Sequence, residues 1–197
     1  MAAATCSVAV LLGGCGTAPA HLIKAPLKDL VLTLSEIPYP GFVVEHGSSS
    51  AGYYSNQRTA GKNGGLLRKL QSAGREEGYE ADFNRSQSPQ QAVGPVVIES
   101  SASIYRSATG AGQGLRLVGA QALAAGGTAV STGKVGDQAL GFMEVRQFEG
   151  TSYEAYIVAW RQANVVAAIQ VEGNAATLDI QYAISLATIQ QRQLVSH

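Results

Sequence analysis

The sequence predicts an α+β protein in which an antiparallel sheet is flanked by helices. Segments with strand character follow one another in groups, whereas a parallel sheet would place a helix after nearly every strand. Several of these segments alternate apolar and polar residues, which is typical of strands that bury one face. The C-terminal third shows the pattern most clearly, as a three-stranded meander followed by a helix.

The composition fits one folded domain with no affinity for nucleic acid. The chain has 197 residues, of which 46% are hydrophobic and 14% are charged. A chain of this length buries a core without disulfides, and its low charge with ordinary hydrophobicity argues against disorder. Because 14 Lys and Arg balance 14 Asp and Glu, the basic excess of a surface that binds nucleic acid is missing.

The start of the chain has the features of an export leader. Residues 1–14 carry no charged side chain and contain an apolar run at 8–12. Such a segment is too short to span a bilayer, which requires about 20 apolar residues, but it matches the apolar region of a signal peptide. The basic residue that leaders normally carry near their start is absent. The alternative is an N-terminal helix or strand that buries a thiol in the domain.

At the end of this leader stand Leu12-Gly13-Gly14-Cys15, an aliphatic residue and two small residues before a cysteine. This sequence resembles the lipobox of bacterial lipoproteins. The resemblance implies cleavage before Cys15 and diacylation of its thiol, and two acyl chains give a stable membrane anchor. The other cysteine, Cys6, would leave with the leader. We therefore expect the N-terminal lipid to hold the protein on the outer face of the cell membrane, or in the periplasm or outer membrane of a diderm.

Behind the leader the chain divides into a tether and one domain. Residues 15–28 are small, proline-bearing and unpatterned, which is typical of a tether. We expect a single α+β domain over residues 29–197. Its first strand is predicted at 30–34, is ended by the turn-forming residues 38–41, and resumes at 42–44.

The middle of the chain predicts two helices and two strands. Residues 46–65 are rich in Gly and Ser, and we expect a loop there with a weak helix around 53–59. A second helix with one apolar side is predicted from Leu66 to a stop at Gly74. Strands with a period of two follow at 79–83 and 96–104, with a loop at 87–94 between them.

The last part of the chain predicts a helix, a meander and a final helix. The glycines of residues 110–114 introduce an amphipathic helix that ends at 126–127. The three strands of the meander are predicted at 141–148, 151–160 and 165–171. Asn174 or Thr177 then serves as the N-cap of the final helix, with Asp179 in its first turn.

The sequence shows no pattern that meets the requirements of a nucleotide-binding, metal or nucleophilic site. In the glycine-rich stretch at 110–114, Leu115 stands where the dinucleotide fingerprint needs Gly or Ala. His46 is the histidine that could serve a serine nucleophile, but the adjacent Ser48 and its neighbours share its loop. Zinc needs thiols or clustered histidines, whereas the mature chain would keep no thiol beyond Cys15 and the three histidines are dispersed. We expect no cofactor, no metal and no catalysis.

Two features of the sequence are compatible with a functional site. Acidic residues cluster at Glu76, Glu77, Glu80 and Asp82, where solvated charge is the simpler interpretation and paired carboxylates for glycosidic chemistry are the alternative. Aromatic residues occur in strands, and they are Tyr105, Tyr153, Tyr156 and Trp160. Tyr156 and Trp160 share one strand face, and Tyr153 lies on the other. Core packing is the simpler role for each, but a face not covered by helices would expose them to a ligand or partner.

The order of elements, with phrases such as Gly78-Tyr79-Glu80 and Val135-Gly136-Asp137, resembles small bacterial lipoproteins of the Mog1/PsbP type. The resemblance implies an α+β sandwich and no particular activity. Three functions follow as hypotheses. The first is a non-catalytic binding module for a partner protein or envelope ligand. The second is an accessory subunit or assembly factor of a membrane complex, and the third is an envelope hydrolase that uses carboxylates.

Overall fold

The computed structural model describes residues 21–45, 51–86, 92–148 and 151–197. Within them an open antiparallel sheet of eight strands carries helices on both faces, which confirms the predicted α+β class. The predicted leader, Cys6, Cys15 and His46 lie outside the described residues.

The helices and strands have the following bounds. The strands are β1 (Phe42–Val44), β2 (Gly52–Tyr54), β3 (Arg75–Arg85), β4 (Pro95–Tyr105), β5 (Thr128–Val130), β6 (Gln138–Phe148), β7 (Thr151–Gln162) and β8 (Val165–Asn174). The α-helices are α1 (Asn56–Ala60), α2 (Gly64–Ser72), α3 (Ala108–Ala124) and α4 (Ile180–Val195), and short 3-10 turns occur at Leu27–Asp29 and Leu34–Glu36. The strand order across the sheet is β1-β3-β4-β8-β7-β6-β5, and β2 also pairs with β3.

One face of the sheet is covered by α4 and by the irregular segment that precedes β1. Leu30 and Leu32 of this segment are buried in the main core. The segment forms no strand, so the strand predicted at 30–34 is wrong. Its backbone instead forms hydrogen bonds with side chains. Gln190 Nε2 donates to the carbonyl oxygen of Leu30 at 2.8 Å, and the amide of Leu32 donates to Ser100 Oγ at 2.9 Å. These bonds satisfy buried backbone groups that a sheet would otherwise pair.

The packed part of the chain begins before Asp29. Ile23 and Leu27 are both buried in the main core. The amide of Ile23 donates to Asn164 Oδ1 at 2.7 Å, and Asn164 Nδ2 donates to the carbonyl of Tyr105 at 3.0 Å. At least from Ile23 onward, residues that the sequence analysis assigned to the tether contact the folded domain.

The opposite face of the sheet is covered by α1, α2 and α3. Helix α3 begins at Ala108 with Ser107 as its N-cap, whose Oγ accepts a hydrogen bond from the amide of Gly110 at 3.1 Å. The predicted glycines therefore lie inside the helix and do not precede it. Gly114 explains why, because a Cβ at this position would overlap the Tyr105 side chain of β4. The glycine lets α3 approach the sheet closely.

The meander of β6, β7 and β8 and the helix after it are confirmed, with changes at their ends. Strand β7 extends to Gln162, so the turn before β8 is only two residues long, with Ala163 at φ 50°. Helix α4 starts later than predicted, because Asp179 is its N-cap and accepts from the amide of Gln181 at 2.7 Å. Asn174 instead accepts from the amide of Ala176 in the preceding turn.

Two short strands were not predicted. Strand β2 occupies part of the stretch in which a weak helix was expected, and the helix itself is α1, which begins after it at Asn56. Strand β5 forms the outer edge of the sheet beside β6. Both have three residues, and segments this short are too brief to show a period in the sequence.

Candidate ligand-binding groove

A groove of about 450 Å³ lies between the C-terminal half of α3 and the sheet face beneath it. We call it the α3 groove. It is lined by Glu80, Glu99, Ser101, Val118, Gln121, Ala122, Ala125, Glu144, Ile157, Ala168 and Gln170. Strands β3, β4, β8, β7 and β6 form its floor, because α3 ends at Ala124 and leaves this part of the sheet partly open.

The pairing of the strands explains why carboxylates gather on this floor. Glu80 of β3 lies opposite Ser101 of β4, and Asp82 lies opposite Glu99. Directly paired residues in an antiparallel sheet project to the same face. Alternation along each strand therefore places Glu80, Asp82 and Glu99 on the face that α3 covers.

The acidic cluster seen in the sequence is divided by the fold. Asp82 is buried and Glu80 is half-buried, whereas Glu76 and Glu77 are exposed. In the described part of the chain, no group of three or more His, Cys, Asp or Glu side chains is placed to hold a metal ion. Three carboxylates, those of Glu80, Glu99 and Glu144, remain in the lining of the α3 groove.

A smaller cavity of about 90 Å³ lies next to the α3 groove and shares four lining residues with it. The shared residues are Ser101, Val118, Gln121 and Ala168. Helices α1 and α2 close the far end through Thr59 and Leu70. We call this space the Arg75 cavity after the charged side chain in its wall.

Arg75 is 5% exposed and is held in place by neutral groups. Its Nη1 donates to Asn56 Oδ1 at 2.8 Å, and its Nη2 donates to Ser103 Oγ at 3.1 Å. The guanidinium carbon lies 4.8 Å from the centre of the Tyr54 ring. An ion pair between Arg161 and Asp137, at 2.9 Å, lies elsewhere in the described part of the chain.

Tyr105 also lines the Arg75 cavity and is 3% exposed. Burial raises the pKa of its hydroxyl to about 12, although the nearby Arg75 guanidinium acts in the opposite direction. The hydroxyl is therefore protonated at neutral pH and remains a hydrogen-bond donor.

The four aromatic residues singled out in the sequence do not form one surface. Tyr105 lies on the α3 side of the sheet, whereas Tyr156 and Trp160 pack against the core on the α4 side. Trp160 is fully buried, and its Nε1 donates to Gln191 Oε1 at 2.6 Å. The Tyr156 hydroxyl donates to Glu154 at 2.9 Å, and Tyr153 is half-buried. Only Tyr105 reaches the candidate site.

A second concavity of about 730 Å³ lies between α3 and the edge strands β5 and β6. We call it the β5 groove. Its lining is mostly small or apolar and includes Leu123, Val130 and Phe142, with Arg116 as the charged side chain in it. It lacks the converging polar groups of the α3 groove.

The structure is an α+β domain with a groove lined by polar residues, and this fold is found in a known protein. Comparison with known protein families and with curated proteins found no match. Among solved structures, the chain is similar to the extracellular domain of PknH from Mycobacterium tuberculosis, with a TM-score of 0.61 and 9% sequence identity. The similarity covers 90% of this chain and 100% of that one. At this identity, the likeness concerns the fold.

Within the described residues, no helix has both the length and the apolar composition needed to cross a membrane.

Proposed function

We propose that the protein is a lipid-anchored extracytoplasmic lipoprotein whose α+β domain binds a ligand or partner and catalyses no reaction. One observation carries the binding role: the α3 groove is a concavity of about 450 Å³ that adjoins the Arg75 cavity and shares four lining residues with it. Concave sites of several hundred cubic ångströms with a few converging polar groups are the usual form of ligand sites. We therefore place the bound group in the α3 groove.

The location rests on two independent supports. The fold is shared with a domain that is extracellular in another protein. The lipobox-like residues Leu12-Gly13-Gly14-Cys15 supply a means of anchoring such a domain to the membrane from outside. Neither support depends on the other, because the first concerns the folded domain and the second concerns the segment before it.

The lining of the α3 groove favours binding over nucleophilic catalysis. Ser101 is the serine among its lining residues, and neither histidine nor cysteine occurs among them. A serine nucleophile needs an adjacent base. The described histidines, His21 and His197, line a different concavity.

A carboxylate-based hydrolase is a second candidate, because Glu80, Glu99 and Glu144 line the same groove. Glycoside hydrolysis requires two carboxyl groups that flank the scissile bond. Here all three project from the sheet, and the opposing wall on α3 is formed by residues such as Val118 and Gln121. This arrangement favours a binding role for the carboxylates.

An accessory subunit or assembly factor of a membrane complex is the other alternative, and the β5 groove favours it. An apolar concavity beside an edge strand offers a partner protein both apolar contacts and unpaired strand groups. This role would use a different surface from the α3 groove, so one experiment separates the two.

The test is to recover what the α3 groove holds. The full chain is purified from membrane extracts as the wild type and as two variants, Gln121→Trp and Gln113→Trp. Gln121 lines the groove, whereas Gln113 is exposed elsewhere on α3. Compounds released on denaturation are identified by mass spectrometry. We expect a compound that accompanies the wild type and Gln113→Trp and is lost from Gln121→Trp.

The other outcomes each contradict the proposal in a distinct way. Equal retention by Gln121→Trp would place binding outside the α3 groove. Subunits of a membrane complex retained by all three proteins would favour the accessory role. Recovery of the compound in cleaved form after incubation would favour the hydrolase.

A further inference from the structure

The β5 groove, between α3 and the edge strands β5 and β6, is larger than the α3 groove and has a different lining. Its volume of about 730 Å³ lies within the range of roughly 300–1,000 Å³ that ligand pockets occupy. Apart from Arg116, Ser131 and Thr132, the described residues that line it are apolar residues or glycines. Such a lining favours a hydrocarbon group over a polar one.

The β5 groove leaves apolar surface in contact with water. Leu123 is 56% exposed, and Ala120 and Ala129 in the same lining are exposed as well. Contiguous exposed apolar surface is typical of a site that another molecule covers. A hydrocarbon chain in the groove would remove this surface from water.

The shape of the groove fits a narrow chain. Its lining residues on α3 extend from Arg116 to Leu123, which corresponds to about 10 Å along the helix axis. Leu140 and Phe142 of β6 face this stretch of the helix. Between them Gly119 allows a close approach, because a Cβ there would come within 2.9 Å of the Leu140 side chain.

Arg116 adds a positive charge to this apolar surface. Its side chain is exposed, and the described residues that line the groove include no aspartate or glutamate. Lys134, which follows the lining residue Gly133, is also exposed. A guanidinium binds a carboxylate through two parallel hydrogen bonds. The occupant that matches both features is a hydrocarbon chain with one anionic head.

The β5 groove lies in the half of the sheet near the proposed lipid anchor. The amide of Ile23 bonds to Asn164 in the turn between β7 and β8. Even a fully extended chain from Cys15 to Ile23 keeps this turn within about 30 Å of the anchored residue. Leu140 pairs with Ala159 of β7, roughly 13 Å along the strand from the same turn.

The arginine end of the groove is the end nearer to that turn. A Cβ at Gly112 would approach Gln138 and Arg161, and these two residues pair with each other beside the turn between β7 and β8. Helix α3 runs from there toward Leu123, so Arg116 lies at the near end of the groove and Leu123 at the far end. A lipid that enters from the membrane would keep its charged head toward the bilayer.

We propose that the β5 groove binds a single-chain anionic lipid, a long-chain fatty acid. Its carboxylate lies against Arg116, and its hydrocarbon chain lies along Leu123, Val130 and Phe142. This inference goes beyond the α3 groove and rests on the proposed lipid anchor, because the anchor holds the groove close to a supply of lipid. A neutral lipid is disfavoured, since it offers the arginine no opposite charge.

The test labels the groove with a photoreactive fatty acid. The full, acylated chain is reconstituted in phosphatidylcholine vesicles that contain palmitate with a diazirine near the end of its chain. After irradiation and digestion, mass spectrometry identifies the labelled peptides. We expect the label on the second half of α3, on β5 and on β6, and not on α4 of the opposite sheet face. Hexadecanol with the same diazirine should label these peptides roughly fivefold less.

Two sets of variants assign the chain and the head of the lipid. Ala120→Trp fills the groove and should abolish the labelling, whereas Gln113→Trp, at an exposed position elsewhere on α3, should keep it. Arg116→Gln should reduce the labelling by palmitate roughly fivefold, to the level of hexadecanol. Arg116→Lys keeps the charge and should retain most of it, and Arg192→Gln, an exposed arginine on α4, should leave it unchanged.

Several results would overturn the inference. Equal labelling by palmitate and hexadecanol would remove the carboxylate from Arg116. Unchanged labelling in Ala120→Trp, or label confined to other peptides, would place the lipid outside the β5 groove. Subunits of a membrane complex that the wild type retains and Ala120→Trp loses would assign the groove to a protein partner. The N-terminal peptide of the same digest tests the anchor separately, because an unmodified Cys15 contradicts the anchor whether or not the groove is labelled.

Discussion

Arg75 and Tyr105 show how differently two residues of one cavity appear in a sequence. Tyr105 ends an alternating strand, so the pattern predicted that it lies in the sheet. Arg75 follows Gly74 at the start of β3, where a charged side chain is expected to face water. It is buried because β2, α1 and α3 close over it, and these elements come from separate parts of the chain. No local pattern could have predicted this.

Stability at alkaline pH is expected to depend on Tyr105. Burial raises the pKa of its hydroxyl from 10.0 to about 12. The folded state therefore holds the proton more tightly than the unfolded chain, so the stabilisation is complete below about pH 10 and is lost as the pH rises to about 12. The full loss amounts to about 3 kcal/mol. The free energy of unfolding in urea, measured across this range, checks it.

The matched variants are Tyr105→Phe and Tyr53→Phe. Tyr105→Phe removes the titrating group, so its free energy of unfolding should decline much less at alkaline pH. Tyr53 is 51% exposed, and Tyr53→Phe should show the same decline as the wild type. A part of the decline remains through Tyr156, because burial and the bond to Glu154 also raise its pKa to about 12. The same decline in Tyr105→Phe as in the wild type would contradict the assignment.

At the level of the elements, helix α3 decides the shape of the site. It covers strands β4, β8, β7 and β6 and ends at Ala124. The part of the sheet face that it leaves uncovered forms the floor of the α3 groove. The sequence predicted the helix and its end at 126–127 but placed its start after the glycines. Gly114 is needed inside the helix because it lies against Tyr105 of β4, and a contact between distant segments leaves no trace in local helix propensity.

Two glycines of α3 are expected to respond in opposite ways to alanine. A Cβ at Gly114 would overlap the Tyr105 ring and hydroxyl, whereas a Cβ at Gly112 would make ordinary contacts with Arg161 and Gln138. Gly114→Ala should therefore destabilise the protein by about 1–3 kcal/mol through overpacking. Gly112→Ala should stabilise it by up to about 1 kcal/mol, because alanine favours the helix.

Thermal or urea unfolding of the two variants provides the measurement. The double variant Gly114→Ala with Tyr105→Ala should recover part of the packing loss at position 114, which a double-mutant cycle would show as coupling between the two sites. Equal effects of Gly112→Ala and Gly114→Ala would mean that α3 does not lie as close to β4 as the structure shows.

For the whole molecule, the two covered faces of one sheet have different roles. The α4 face holds the main core with Trp160, Ile169 and Leu186. The α3 face holds a smaller apolar cluster, and beyond it lie the α3 groove and the Arg75 cavity. The fold is shared with the PknH extracellular domain at 9% identity, and a shared fold does not by itself carry a shared function.

The membrane anchor is expected to depend on Cys15 and to be independent of Cys6. The full chain, Cys15→Ser and Cys6→Ser are expressed in a bacterial host, and each is partitioned between detergent and water. We expect the wild type and Cys6→Ser to enter the detergent phase with an acylated residue 15 at the N-terminus, because two acyl chains anchor stably. Cys15→Ser should lack the acyl modification.

Mass spectrometry of the N-terminal peptide is the deciding measurement. An intact Met1 and an unmodified Cys15 in the wild type would contradict the lipid anchor at Cys15. Loss of anchoring in Cys6→Ser alone would contradict it as well. Either result would leave the proposals about the α3 groove untouched, because they are argued from residues 80–170, which line the groove.

The sequence by itself determined the α+β class, the antiparallel meander with its final helix, and the face on which each residue of β7 lies. These follow from periodicity, which is a local property of the chain. The tertiary structure alone decided that residues 30–34 cross the sheet without joining it, that α3 begins at Ala108, and that Arg75 is buried. Each of these depends on contacts between segments far apart in sequence, and the candidate site lies where several such segments meet.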